Sequence, residues 1–417
     1  ENPSRSFLSI YQNINPENNI KGPVNYETRF MTNELVITTV IDELRSFSQL
    51  FEIQMNDFLE DHRFYAGLLM PLNFNSGYDV YAEYQYLKFQ VDLSTKYYRK
   101  SLQRTDGLFR QKYNLNKFDL GASFPFTPNL RLEVIPFFAQ TRYDDLDPRL
   151  LIINPPPPEP STSKGNYGGL GLNLVFDNSL VTGTNLHDGT RAKLKFENYS
   201  ALNSSAQSFT KLEVDIRHYE RIAKGVTFAF KGYFGAFVGD APKKYLLGGV
   251  DNWAFNQTEG CSSESCPLFL QTLYDNSDIL FHEFTNLRGY NYNTFSGSKV
   301  LTFSAELRLP IFEFFERIEQ KSSFIRNLQL LAFYDIGSAW DDLSPFRDTN
   351  NLNTEVVDPG GPFDAVINNF NNPWLQSTGF GFRSKIFGFF AKFELAWPMR
   401  NFKIEDPKFM ASIGYDF

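Results

Sequence analysis

A chain of 417 residues would suggest two or three soluble domains. Its mean hydropathy of −0.34, with no apolar run near the ~20 residues of a spanning helix, gives no support to a helical membrane protein. The net charge of −8 argues against nucleic acid, which favours a basic surface.

Aromatic residues make up 17% of the chain, with 44 Phe and 21 Tyr. A soluble core does not need so many. A barrel facing lipid does, because Phe fills its apolar band and Tyr and Trp form girdles at the edges.

In chain order, residues 1–33 are polar and rich in Asn and Pro, and read as a lead-in segment or linker. The chain starts at Glu1 with neither an initiator Met nor a signal peptide, as a processed protein or the ordered part of a longer one would. From residue 34 to 417 it becomes a succession of alternating segments separated by turn residues. Glu34–Asp42 and Leu50–Phe58 alternate only in part. Arg63–Leu72, Asp79–Leu87, Phe89–Tyr98, Leu108–Leu115, Lys117–Phe126 and Leu130–Thr141 are clearer strands.

Gly169–Phe176 alternates through its leucines. In Arg191–Glu197, Arg191, Lys193, Lys195 and Glu197 share one face, and Ala192, Leu194 and Phe196 the other. The next strand sets Lys211, Glu213, Asp215 and Arg217 against Leu212, Val214 and Ile216. Unpaired, such charges would cost several kcal/mol each inside a soluble sandwich. A hydrated lumen tolerates them, and the apolar face is then the outside of the barrel.

Val226–Phe234, Val300–Pro310, Leu328–Trp340, Thr378–Ile386, Phe389–Trp397 and Phe409–Phe417 complete the strands. The expected fold is all-β, a transmembrane antiparallel barrel of about 16 strands. The long connections, 144–166, 238–297 and 341–375, are separated by even numbers of crossings and so open on one side. Phe312–Asn327 is a long connection on the other side and suits a short helix lying on the membrane surface.

Four histidines, His62, His187, His218 and His282, fall on unrelated segments. They suggest no metal site and no compact Ser/His/Asp grouping for a barrel protease or lipase. No cofactor and no catalytic residues are expected. Cys261 and Cys266, close together in the longest loop, suit a disulfide in a non-cytosolic compartment. The ring would be short and its contribution to stability modest.

That loop of about 60 residues ends in Asn286-Leu287-Arg288-Gly289-Tyr290. The strand after it places Glu306 among Thr302, Ser304 and Arg308, opposite its leucines. The next strand carries Asp335 in Phe333-Tyr334-Asp335-Ile336-Gly337. An enclosed Arg288 needs carboxylates, and these two are its candidates. Asp335 shares parity with Leu331 and Phe333, so its face is ambiguous. Gly337 leaves room for the loop backbone, and Tyr290 is expected to stack beside the Arg. The competing reading makes Arg288-Gly289 an ordinary loop tip. A passive porin is a further reading, against which stands the length of this loop.

These residues resemble a family. Leu287-Arg288-Gly289-Tyr290 is similar to the Arg-Gly-aromatic motif of the BamA/TamA superfamily of outer-membrane barrels, of the bacterial surface antigen type. Ala305–Pro310 resembles the family's twelfth strand and Phe333–Gly337 its thirteenth. Phe176-Asp177 with Asp188-Gly189 resembles the start of its middle repeat. The alternating C-terminal strand, with Ile413, Tyr415 and Phe417 in phase, resembles the barrel signal of bacterial outer-membrane proteins.

The resemblance covers about 165–417 and implies a sixth outer loop folded into the lumen, clamped by Arg288, Gly289 and Tyr290 onto Glu306, Asp335 and Gly337. It further implies location in the bacterial outer membrane, lipid contact, and insertion or translocation of client outer-membrane proteins. No POTRA domain is present. Tyr245–Trp253 and Ser344-Pro345-Phe346 look more like a Bacteroidota-type subgroup whose barrel follows a periplasmic TolB-like β-propeller. On that resemblance, residues 1–33 are a periplasmic lead-in from a missing N-terminal domain. The protein is then an insertase or translocase, or else a barrel that anchors a periplasmic domain or docks with periplasmic or surface partners.

Overall fold

The computed structural model describes residues 28–106, 109–146, 162–223, 225–259, 278–311, 323–341, 344–347, 354–357, 365–368, 372–386 and 388–414. Sixteen strands follow one another. They are β1 Met31–Asp42, β2 Ser46–Asn56, β3 His62–Pro71, β4 Asp79–Tyr86, β5 Asp92–Asp106, β6 Phe109–Thr127, β7 Leu130–Asp145 and β8 Thr162–Asp177. Then come β9 Leu186–Ala201, β10 Phe209–Ala223, β11 Val226–Gly239, β12 Lys299–Pro310, β13 Gln329–Trp340, β14 Leu375–Ile386, β15 Phe389–Arg400 and β16 Lys408–Ile413. Each pairs antiparallel with the next. Two short ribbons, Leu180–Gly183 and Lys403–Ile404, bring this one sheet to 18 strands.

The fold is thus all-β and of the outer-membrane barrel type. Its two edges, β1 and β16, touch, but among the described residues no ladder joins them.

Hydropathy parity explains which face is which. Leu194, Ile216, Phe303, Leu307, Phe380 and Phe382 are exposed on one face. The other face carries opposite charges in direct register: Lys193 faces Asp215, Lys195 faces Glu213 and Glu197 faces Lys211. Cross-strand pairs of this kind contribute roughly 0.2–1 kcal/mol each. Their larger effect is to leave no uncompensated charge.

Several expected boundaries are corrected. Leu108–Leu115 and Lys117–Phe126 are one strand, β6, whose ladder with β5 runs unbroken from Asp106–Phe109 to Asp92–Ser123. The alternation misled because its sense inverts near Asn116. Tyr113 and Leu115 are buried on the same face as Lys117, while Asn114 and Asn116 share the other face with exposed Phe118. β5 runs on to Asp106 rather than ending at Tyr98, β8 begins at Thr162 rather than Gly169, and β2 begins at Ser46 rather than Leu50. Of Phe312–Asn327, the helical part among the described residues is one turn, Ser323–Arg326. Cys261, Cys266, Tyr415 and Phe417 lie outside the described residues; Ile413 ends β16.

The long loop between β11 and β12 lies against the polar face. Its three-stranded core puts Tyr245–Leu247 between Glu283–Thr285, parallel, and Phe295–Gly297, antiparallel. Phe281 and Tyr245 pack with Tyr199, Phe209 and Phe237 of β9, β10 and β11. Val250, Trp253 and Tyr292 pack with Leu331, Phe333, Ala396 and Met410 of β13, β15 and β16. The apolar residues that point toward the polar face are therefore the ones the loop covers.

Candidate functional site

The tip of the long loop is Leu287-Arg288-Gly289-Tyr290. Two backbone bonds fold it onto the loop's first arm: the Gly249 amide donates to the Tyr290 carbonyl (3.0 Å), and Leu287 donates to Gly249 (3.1 Å). Gly248 lies at φ +133°, and a Cβ there would sit 1.9 Å from the Asn291 carbonyl oxygen, so the approach of the two arms requires glycine. Gly289, at φ +86°, meets Ala396, Ser377 and Pro398, whose Cβ atoms would lie 3.3–3.5 Å from an added methyl group.

Arg288 is buried and stretched across three strands. Its Nε and Nη2 donate to both oxygens of Asp335 on β13, at 2.6 and 2.7 Å. Nη1 donates to Glu306 on β12 at 2.5 Å and lies 3.4 Å from Glu394 on β15. Nη2 also reaches the Ser304 hydroxyl at 2.8 Å, and that hydroxyl donates to Asp335. This fork onto a carboxylate is the geometry that guanidinium and not ammonium satisfies.

The cluster is larger than an Arg and two acids. Arg383 on β14 bonds Glu306 at 3.0 Å and Glu394 at 3.1 Å. Arg308 holds Glu306 at 2.8 Å and donates to the carbonyl of Asn185, in the β8–β9 connection. Three guanidiniums meet three carboxylates, so the buried cluster is neutral overall. Arg383, Arg308, Glu394 and Ser304 were not singled out from the sequence. A signal for them existed: on β14 the buried face reads Ser377, Gly379, Gly381, Arg383, small residues beside one charge, as a strand approached closely by another segment would.

Two details of the expected arrangement are corrected. The ring beside Arg288 is Phe333, 3.8 Å from the guanidinium, and not Tyr290. The Tyr290 hydroxyl lies 2.7 Å from the Gln376 carbonyl and 2.8 Å from that of Met399, where β14 and β15 face each other. The closest atom to an added Cβ at Gly337 is Thr302 Cγ2 of β12, at 2.9 Å; from the loop, Leu287 Cδ1 lies at 3.4 Å, a side-chain contact and not loop backbone. Asp335 points to the buried face in spite of its apolar neighbours, because Leu331 and Phe333 are covered by the loop.

Beside the cluster lies a cavity of about 230 Å³ lined by Asp215, Lys231, Arg288, Glu306, Asp335 and Glu394. The histidines do not converge: His62 pairs with Tyr84, His218 with Thr190, His187 lies against Tyr219 and His282 is in the loop. Among the described residues no group of His, Cys, Asp and Glu has a metal-holding geometry.

The long loop also reaches the seam. The Asn252 side-chain oxygen accepts from the Ile41 amide of β1 at 2.9 Å. Trp253 bridges Ser412 of β16, and Ala254 donates to the Ala411 carbonyl at 2.8 Å. Gly289 donates to the Met410 sulfur (3.2 Å) and Lys408 to Asn291 (3.1 Å).

The chain matches the Omp85 superfamily domain over residues 64–417. Among solved structures it is similar to BamA from Haemophilus ducreyi lacking POTRA domains 1–3, at 13% identity and a TM-score of 0.56. That match covers 93% of this chain and 71% of the other. It is also similar to CdiB from Acinetobacter baumannii, at 11% identity and a TM-score of 0.51, covering 91% of this chain and 58% of CdiB. At such identities the likeness is one of fold. No curated protein sequence matches the chain significantly.

Proposed function

Because the chain belongs to the Omp85 superfamily and is a bacterial outer-membrane β-barrel, we propose that it inserts proteins into the outer membrane or translocates them across it. The observation that carries this reading is the seam. Among the described residues β1 and β16 meet without a ladder, while every other neighbouring pair is laddered. An unpaired strand edge is a surface on which a client strand can pair. In this reading the long loop is the sixth outer loop, held within the lumen. Arg288, Gly289 and Tyr290 clamp it to Glu306, Asp335 and Gly337, bracing β12 to β15 so that the weak seam is the part that yields. Lipid surrounds the apolar face, and client outer-membrane proteins are the partners.

The test is reconstitution into vesicles, followed by addition of a urea-unfolded eight-stranded outer-membrane barrel. Insertion is read as protease protection of that client. A rate at least tenfold above empty vesicles supports the proposal, and equal rates refute it.

A second reading has support of its own. Tyr245–Trp253 and Ser344-Pro345-Phe346 favour the Bacteroidota-type subgroup, in which a TolB-like propeller precedes the barrel and residues 1–33 join the two. There the barrel anchors a periplasmic domain or docks in a larger outer-membrane complex. Equal insertion rates, with a stable complex recovered from native membranes, favour this alternative.

A further inference from the structure

We propose that Asn252-Trp253-Ala254 is a latch that holds the seam shut, and that when the seam opens β1 departs while β16 stays with the loop. The inference rests on the insertion reading for its purpose and on the seam contacts for its existence.

The two edges are held unequally. β16 is tied to the loop by the Trp253–Ser412 bridge, the Ala254–Ala411 backbone bond, the Gly289 amide on Met410 and Lys408 on Asn291. Trp253 is 3% exposed and packs with Tyr292 and Met410. Two of these ties are backbone contacts, two use the Met410 and Lys408 side chains, and Trp253 adds an aromatic core. Among the described residues, the hydrogen bond between the loop and β1 runs from the Ile41 amide to one side chain, Asn252, while Asp251 and Tyr292 of the loop lie near Glu43 in the β1–β2 turn. Such a bond is worth little net, because water replaces it once the edge is exposed. Opening therefore costs least along the β1 side.

The latch is also coupled to the clamp. Asn252 is three residues from Gly249, which is bonded to both Leu287 and Tyr290 on either side of Arg288. Asn252 itself lies at φ +54°, a left-handed conformation set by the turn. Loss of the clamp would thus slacken the latch through a short, bonded link.

The experiment uses the full chain in phospholipid vesicles with Cys261→Ser and Cys266→Ser, so that introduced cysteines carry the only spin labels. One label pair, at Ile37 and Phe409, spans the seam. A second, at Phe255 and Phe409, spans loop and β16. A third, at Leu194 and Ile216, spans a laddered pair; all five positions are exposed.

Asn252→Gly removes the acceptor and suits the backbone. It should raise the long-distance seam population roughly two- to tenfold, the effect of one hydrogen bond. The other two distances should stay unchanged. Trp253→Ala should lengthen both the seam and the loop–β16 distances.

An unchanged seam in Asn252→Gly overturns the latch. A loop–β16 distance that lengthens together with the seam in Asn252→Gly overturns the asymmetry. The same samples are given the unfolded eight-stranded barrel. A wider seam with no insertion by any variant leaves the latch standing and refutes the insertion reading instead.

Discussion

Replacing Arg288 by Ala tests the clamp most directly. The substitution takes a guanidinium from a neutral cluster of three arginines and three carboxylates and leaves a net charge of −1. Glu306 keeps Arg308 and Arg383, and Glu394 keeps Arg383. Asp335 loses its two-pronged partner and retains the Ser304 hydroxyl. Breaking an enclosed charge pair costs about 3–5 kcal/mol. The adjoining cavity can hydrate Asp335, so we take the lower end, about 3 kcal/mol, or roughly 150-fold in a local opening equilibrium at 1.36 kcal/mol per decade.

Hydrogen exchange by mass spectrometry on vesicle-embedded protein reads this at residues 285–294, where the Leu287, Tyr292 and Thr294 amides are bonded within the loop and that of Gly289 to Met410 of β16. Residues 211–217 of the wall report global effects. Protection of the tip should fall about 150-fold, with the wall unchanged. Arg288→Lys should fall between, since an ammonium cannot span both Asp335 oxygens. Asp335→Asn in the Arg288→Ala background should add little, giving strong coupling in the cycle. A tip protected within threefold of wild type, strictly additive effects, or equal loosening of the wall would refute the clamp.

Three further outcomes are expected. Gly379 faces the Leu395 carbonyl of β15 and the Phe333 ring, 2.2 and 2.5 Å from an added Cβ, so Gly379→Val should strain the β14–β15 ladder as well as push the ring from Arg288, weakening tip protection by about 1–3 kcal/mol in the same assay. In the β1–β2 turn, burial and then Asp42 push the Glu43 carboxyl up to about 7; Asp251 of the loop adds to this, Lys100 opposes it and the Tyr292 phenol faces it. The closed arrangement binds that proton, so its advantage is complete below the ordinary carboxyl value and is lost as pH rises through 7. Separation of the Ile37 and Phe409 labels should grow between pH 5 and 8 in wild type and stay flat in Glu43→Gln. Burial, then Lys243 and Lys244, hold His282 down to about 3. The folded loop keeps it neutral, so stability there is full above the ordinary imidazole value and falls as pH drops below about 6.5. Exchange at residues 278–285, corrected for intrinsic rates, should quicken at pH 5 and not in His282→Gln.

Strict alternation and the charges on one face determined that this chain makes antiparallel strands, which face of most of them is polar, and where the long connections fall. That follows from the period of two, which a strand imposes wherever one side meets lipid and the other does not. The same parity put Glu306 on the polar face, and the need of an enclosed Arg for acids singled out Asp335.

Tertiary structure decided the rest. It turned Asp335 inward beside Leu331 and Phe333, merged two expected strands into β6, exchanged Tyr290 for Phe333 as the ring beside Arg288, and brought in Arg383 and Glu394 from strands far along the chain. Parity lost its meaning at those positions for one reason. Where the long loop covers the polar face, an inward side chain meets protein and not water, so apolar residues are as stable there as charged ones, and only the packed loop determines which occurs.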